Sequence, residues 1–393
     1  MARLEAGERV QVLVWIDDQA AADAGLLTAE NRGETRDAFP DGALARVFER
    51  VLGYSATQMR QPANGVNRPE LLYSGRYTPV AAMSLTADEI ARLAADPLVA
   101  RIETDALYTP MLPVSRSLTG ADIVHAAGEV GEGVSIAILD TGVDHQHAAF
   151  ADSIVESACF SASASGNAQS FCPAGAGSDV ESEQAGDNCE EADGLDGLGA
   201  PGCGHGTHVA GIALGRSFPS TQLPDVDIIG MAPGAGLVAV QVFSRFVGEE
   251  YCGYDGACPL SYVSNQLAAL EWLYDNRERL NLAAVNMSLG GGEEPFFCPT
   301  HPLATIIGRL HQANISTVVS SGNEGFQDAV SAPGCISEAV TVGATQRGNV
   351  VTSFSNIGPT VDIYAPGVDI VSAQATDFDV GQSRSIAHDG TSM

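Results

Sequence analysis

The 393-residue chain carries 49 acidic residues against 19 basic ones, every base an arginine, for a net charge of −30. Such a surface repels nucleic acid and anionic membranes, and no stretch approaches the ~18 consecutive apolar residues of a membrane span. With 45% hydrophobic residues and 43 glycines, the chain is globular and rich in tight turns, long enough for about two or three domains.

Most of the acidic excess follows residue 118, where 33 acids face 7 arginines. The N-terminal stretch MARLEAGERVQVLVWID has no basic-then-apolar leader of the secretory kind. All eight cysteines lie between Cys159 and Cys335, and none forms a C-x-x-C pair. An even count in loop-like sequence points to disulfides and an oxidising compartment, not to zinc ribbons. Cys252 with Cys258 suits a short local bridge and Cys298 with Cys335 a longer one, among about 105 pairings of eight.

In chain order, residues 10–16 read as a strand and 18–58 as helical, with Leu44, Val47, Phe48, Val51 and Leu52 at helical spacing. A Pro/Asn/Gly-rich turn at 62–69 precedes strands at 70–74 and 77–83. Thr86 caps a helix running through Leu93, and 98–103 form a last strand. The order β-α-β-β-α-β predicts a small α+β, ferredoxin-like domain with helices on one face of an antiparallel sheet. Residues 106–118 carry Pro110 and Pro113 and no clear period, which reads as an extended linker.

From Gly120 the pattern is α/β. Residues 133–139 form a nearly unbroken apolar strand, of the type buried on both faces of a parallel sheet. It ends at Asp140, where open α/β sheets place their sites. Residues 157–202 form a Gly/Ser/Asp/Glu-rich insertion with eight acids and no base between Asp179 and Asp196. It reads as solvated loop, with a structural Ca²⁺ site as the alternative. Strands at 237–243, 285–289, 315–320, 339–343, 350–354, 361–364 and 369–372 alternate in part with helices at 261–280 and 303–313. That alternation predicts a mostly parallel sheet covered on both sides.

The stretch Cys203–Gly215 opens a buried helix, with Gly204 and Gly206 leaving His205 uncrowded. A histidine there suits a general base. His205 and His208 at i and i+3 could also ligate a metal, but the glutamate of H-E-x-x-H is absent and no metal ligand is assigned.

Asp140 in DTGVD, His205 in GHGTHVAG, then SLGG, SGNEG and GTSM in that order resemble the subtilisin family of serine endopeptidases. The resemblance implies a three-layer α/β/α fold over residues 119–393. It implies Asp140, His205 and Ser392 as catalytic triad and Asn323 as oxyanion donor. Ser288, Leu289 and Gly290 would pair with substrate backbone, and Ser331, Ala332 and Pro333 would border a roomy apolar specificity pocket. His208 is expected to pack or bond locally. The segment VAAMSLTADEIARLAADPLVARIETD is similar to that family's propeptides, which makes residues 1–109 a propeptide and 110–118 the linker where processing falls.

The expected protein is thus a secreted zymogen acting on proteins or peptides, inhibited by its own propeptide and needing no cofactor for catalysis. Two departures qualify the resemblance. The family's helix M-A-x-P-H-V-A-G does not follow Met393, so the chain reads as cut just after the nucleophile and is expected to be inactive or poorly folded. Ala149 stands where many relatives carry a calcium-binding aspartate. The rival reading is a non-catalytic relative whose fold survives as a binding module. An α/β-hydrolase lacks its G-x-S-x-G here, and a Ser-Lys enzyme is excluded because there is no lysine.

Overall fold

The computed structural model describes residues 9–16, 41–59, 68–74, 80–104, 112–150, 152–161, 168–189, 202–223, 225–375 and 384–393. The chain divides into two compact units, Met1–Tyr108 and Thr109–Met393.

The first unit contains β1 (Arg9–Ile16), α1 (Asp41–Leu52), β2 (Glu70–Ser74), β3 (Val80–Thr86), α2 (Ala87–Ala94) and β4 (Val99–Thr104). The strands form an antiparallel sheet in the order β2-β3-β1-β4. Val12, Val14 and Ile16 alternate along β1 and are buried with Phe48 and Leu52 of α1 and Leu93 of α2. Period-2 burial on one strand against two helices puts both helices on the same face. Thr86 caps α2 reciprocally: Glu89 N donates to Thr86 Oγ1, while Thr86 N donates to Glu89 Oε2 at 2.8 Å. The expected helical residues 18–40 and most of the turn at 62–69 lie outside the described residues.

One expectation fails at the start of the second unit. Leu112–Thr119 is a helix, not an extended linker. Pro113 falls in its first turn, where a backbone N–H has no partner within the helix and its loss costs nothing. Thr119 Oγ1 donates back to the Ser115 carbonyl at 2.9 Å. Pro113 therefore marks a helix start.

The main sheet of the second unit has nine strands: β5 (Ser135–Asp140), β6 (Ile154–Phe160), β7 (Ser178–Asp179), β8 (Gly236–Gln241), β9 (Leu282–Met287), β10 (Ser316–Ser320), β11 (Val340–Gln346), β12 (Val350–Val351) and β13 (Ile363–Pro366). Its order is β12-β11-β10-β9-β5-β8-β6-β7, with β13 also on β11. All pairings are parallel except the short edges β7 on β6 and β12 on β11.

Side chains of the central strands alternate between two cores. Ala137, Leu139, Val238 and Val240 pack with Leu270 and Leu273 of α3 (Val263–Leu280) and Ile307 of α4 (Ala304–Gln312). Ile138, Leu237 and Ala239 pack on the other face with Val209, Ala210 and Leu214 of the helix His205–Leu214. Helices on both faces of a largely parallel sheet make the three-layer α/β/α arrangement, and burial on both faces explains the continuous apolar runs. The second half of β6, residues 157–160, and the two-residue β7 come from the stretch read as insertion loop. They were masked there by acidic and small residues suited to a sheet edge.

All eight cysteines are paired: Cys159–Cys172, Cys189–Cys203, Cys252–Cys258 and Cys298–Cys335. No described helix is long and apolar enough to cross a membrane.

Candidate active site

The sheet's strand order turns at β5, whose neighbours β8 and β9 lead to opposite edges. The carboxyl end of such a strand opens into a crevice. Asp140 sits there, fully buried. Its Oδ1 accepts Thr141 N at 2.7 Å and lies 2.7 Å from His205 Nδ1. The helix carrying His205 is held against the strand end by two threonines. Thr141 Oγ1 donates to the Cys203 carbonyl at 2.7 Å and accepts Gly206 N at 3.0 Å, while Asp144 N donates to Thr207 Oγ1 at 2.9 Å. Gly206 makes the approach possible, because a Cβ there would lie 2.2 Å from the Gly142 carbonyl oxygen and 3.0 Å from Asp140 Cβ.

Burial disfavours the charged form of His205, but the Asp140 charge and its hydrogen bond outweigh that and raise the imidazole pKa above 6.5. The carboxylate thus fixes the ring's orientation and leaves Nε2 for chemistry. His208, one turn on, is fully buried, and its Nε2 lies 3.0 and 3.1 Å from the Ile370 and Ile386 carbonyls. Burial, then the nearby His388 ring 4.6 Å away, push its pKa down to about 3. His208 is a neutral strut tying the helix to the hairpin β14 (Ile370–Gln374) and β15 (Arg384–His388). No metal role falls to it.

Ser392 follows that hairpin. Its Oγ donates to the Ser288 carbonyl at 3.3 Å, and Ser288 Oγ donates to the Ser392 carbonyl at 2.9 Å. The hydroxyl is thus held by one long bond to main chain, and no bond to His205 is formed in this state. Asn323 Oδ1 accepts both Thr391 N at 2.9 Å and Thr391 Oγ1 at 3.0 Å. With its oxygen occupied, the amide presents Nδ2 as a donor. His205, Asn323, Ser392 and the tripeptides 288–290 and 331–333 all border one groove of ≈ 680 Å³. A second depression of ≈ 400 Å³ shares His205, Asn323 and Ser392 and is otherwise bordered largely by residues of the hairpin and of 389–393.

A sequence model of the subtilase family matches residues 131–393. The chain belongs to the subtilase family. Among similar proteins are Subtilisin NAT of Bacillus subtilis subsp. natto, 29% identical over 76% of this chain and 64% of that protein, and the alkaline protease of Shouchella clausii, 30% identical over 77% and 64%. Alkaline protease 1 of Aspergillus clavatus is 34% identical over a shorter 43% of this chain and 36% of its own. A solved structure, that of a cold adapted subtilisin-like serine proteinase, is 25% identical over 67% of this chain and 71% of its own, with a TM-score of 0.43. The alignments to the two bacterial relatives each span 64% of the relative's length.

In this subtilase the calcium position flagged by Ala149 does not fit a metal. Ala149 is fully buried in the apolar cluster with Val143, Phe150 and Val209, and its side chain offers no oxygen. Asp179, in the acid-rich stretch, is taken up as a turn cap by Glu181 N, Ser182 N and Ser182 Oγ. Acids 190–196 lie outside the described residues.

The groove beside residues 331–333 is not wholly apolar. The Glu324 carboxylate borders the groove, and Ser331 Oγ donates to its Oε2 at 3.0 Å. Reading the sequence also missed Thr141 and Thr207, which fasten the His205 helix to the end of β5, and Thr391, which holds Asn323 Oδ1. The one available signal was a threonine in each of D-T-G, G-T-H and G-T-S.

Proposed function

We propose that this chain is a serine endopeptidase that cleaves peptide bonds through Asp140, His205 and Ser392. The observation that carries the reading is the 2.7 Å contact between a fully buried Asp140 and His205, whose ring borders the same groove as Ser392 and Asn323. His205 Nε2 takes the Ser392 proton as Oγ attacks the substrate carbonyl carbon, and the carbonyl π pair moves onto oxygen. Asn323 Nδ2 and the Ser392 N–H stabilise that oxyanion. The oxyanion collapses, the C–N bond breaks, and His205 hands its proton to the departing amine. Water then repeats the sequence on the acyl-enzyme, using the same base, and regenerates Ser392. Asp140 keeps the ring in the productive tautomer and stabilises its charged form.

In this reading segment 288–290 pairs with substrate main chain, which tolerates many sequences. The unit Met1–Tyr108 acts as propeptide and intramolecular inhibitor, removed by cleavage before the second unit's core, and the mature protein works in an extracellular, oxidising medium. The test is labelling of the full-length protein with a fluorophosphonate probe. Covalent labelling that Ser392→Ala abolishes is expected. Absence of labelling in the wild-type chain favours the non-catalytic binding module, for which the Ser392–Ser288 bond is the supporting observation.

A further inference from the structure

Among the described residues of the second unit, every exposed aromatic side chain lies on one of two loops. Tyr251, Tyr254 and Tyr262 belong to residues 247–263, and Phe296 and Phe297, 76% and 57% exposed, to residues 291–301. A disulfide staples each loop: Cys252–Cys258 closes the first, and Cys298–Cys335 ties the second to the chain just beyond 331–333. Each runs a pair of glutamates into aromatic residues and the bridging cysteine, as Glu249-Glu250-Tyr251-Cys252 and as Glu293-Glu294-Pro295-Phe296-Phe297-Cys298. Both border the groove, the first at Pro259, Leu260 and Ser261 and the second at Gly291 and His301, whereas the exposed rings themselves stand outside it.

Within the first loop the rings form a row. Phe246, buried, packs against Tyr251 at 5.2 Å and Tyr262 at 5.4 Å between centroids, and Tyr262 stands between the groove residues Ser261 and Val263 in sequence. An apolar strip thus leads from the rim of the groove out along the loop. Exposed aromatic area of this kind adds no packing to the fold, and its concentration beside one cleft marks a surface for a partner. The staples lower what ordering the loops on binding would cost. A polypeptide seated in the groove meets both loops, which makes the substrate the occupant. Its chemistry follows from the loops: aromatic rings take apolar side chains, and the glutamates, with no arginine on either loop, favour bases among them. A second copy of this chain, at net charge −30, is repelled by the same acids. Folded proteins bury most of their large apolar side chains and unfolded ones offer them, so the surface selects unfolded polypeptide.

We propose that the two loops form a binding surface outside the groove for apolar and basic stretches of unfolded protein substrates. The proposal rests on the peptidase reading above. Its test compares kcat/KM for reduced, carbamidomethylated lysozyme, an unfolded basic protein, with that for a tetrapeptide p-nitroanilide, whose few residues the groove itself accommodates. The variants are Phe296→Ser/Phe297→Ser and Tyr254→Ser, all at exposed positions where folding tolerates the change. In the double variant kcat/KM on unfolded lysozyme is expected to fall about tenfold or more, the worth of one phenylalanine side chain withdrawn from water, and on the tetrapeptide to change less than about twofold. Tyr254→Ser should lower the lysozyme value about threefold. Equal changes on both substrates, or none on lysozyme, overturn the proposal and leave the peptidase reading standing. A concentration-dependent dimer in sedimentation that the double variant abolishes assigns the loops to a second copy and also overturns it. If no substrate is cleaved and no fluorophosphonate bound, the peptidase reading fails instead, and fluorescence anisotropy of labelled unfolded lysozyme decides for the surface. Affinity weakened about tenfold by the double variant sustains the surface, and equal or absent binding removes it.

Discussion

Replacing His208 by glutamine should flatten the acid sensitivity of the second unit. In the folded chain burial, aided by His388, holds the His208 pKa near 3, whereas the unfolded chain returns it to about 6.5. A group whose folded pKa is depressed contributes stability that is fully present above the unfolded value and is lost as pH falls through the folded one. Between pH 6.5 and 3 the unfolded state therefore binds one more proton at this site, and stability falls by about 1.4 kcal/mol per pH unit. Over the full interval that is about 5 kcal/mol, a large share of a typical domain's stability. Glutamine never charges and retains an N–H for the Ile370 or Ile386 carbonyl. It lowers stability at pH 7 by about 1–3 kcal/mol through lost packing and one poorer bond.

The assay is denaturant unfolding at pH 7, 6, 5 and 4 on a Ser392→Ala background, which prevents self-digestion. Trp15 and Trp272 are the chain's two tryptophans, so Trp15→Phe leaves Trp272, packed on Phe160, reporting on the second unit. His147 and His301 are also shifted down by burial, but they contribute equally to both proteins. The difference in slope between wild type and His208→Gln is expected to be about 1.4 kcal/mol per pH unit. Parallel slopes would refute the assignment of His208 as a permanently neutral strut.

Three other outcomes follow from the site geometry. Asp140→Asn should lower kcat by about 10⁴, and because it removes the one group whose charge and hydrogen bond raise the His205 pKa, the surviving activity should extend to lower pH; a pH–rate profile unmoved on its acid side would contradict this. Asn323→Ala should cost about 10²–10³ in kcat, the range known for a subtilisin's own donor, and Thr391→Val should cost about tenfold through loss of one bond to Asn323 Oδ1; both should leave KM nearly unchanged in steady-state assays. Gly206→Ala should push the His205 helix off the strand end, since its Cβ meets the Gly142 carbonyl at 2.2 Å, and abolish fluorophosphonate labelling while circular dichroism still reports a folded chain.

Features that repeat along the chain could be read from it, and features that depend on distant partners could not. β5 and β8 are apolar runs buried on both faces, and each showed as such within a residue or two. Asp140 and His205 were legible because one ends such a run and the other opens a glycine-flanked helix. Thr141, Thr207 and Thr391 were not, because each acts on a group 62 to 68 residues away. Glu324 escaped for the same reason: its character depends on Asn356, 32 residues on, and small side chains at 331–333 suggested an empty apolar pocket. Leu112–Thr119 failed as a linker because proline was read only as a breaker, although it is equally at home in a helix's first turn.

The hairpin β14–β15 has a bearing on timing. It locks onto the His205 helix through His208 and through Ser372, whose Oγ donates to the His208 carbonyl, and it delivers residue 392 to the groove. Both of these steps wait on residues 370–392, which are made well after Asp140 and His205. In the peptidase reading, a polypeptide still emerging from the ribosome holds its acid and imidazole but has no alcohol beside them. It is idle until residue 392 is in place, without any inhibitor having to be present.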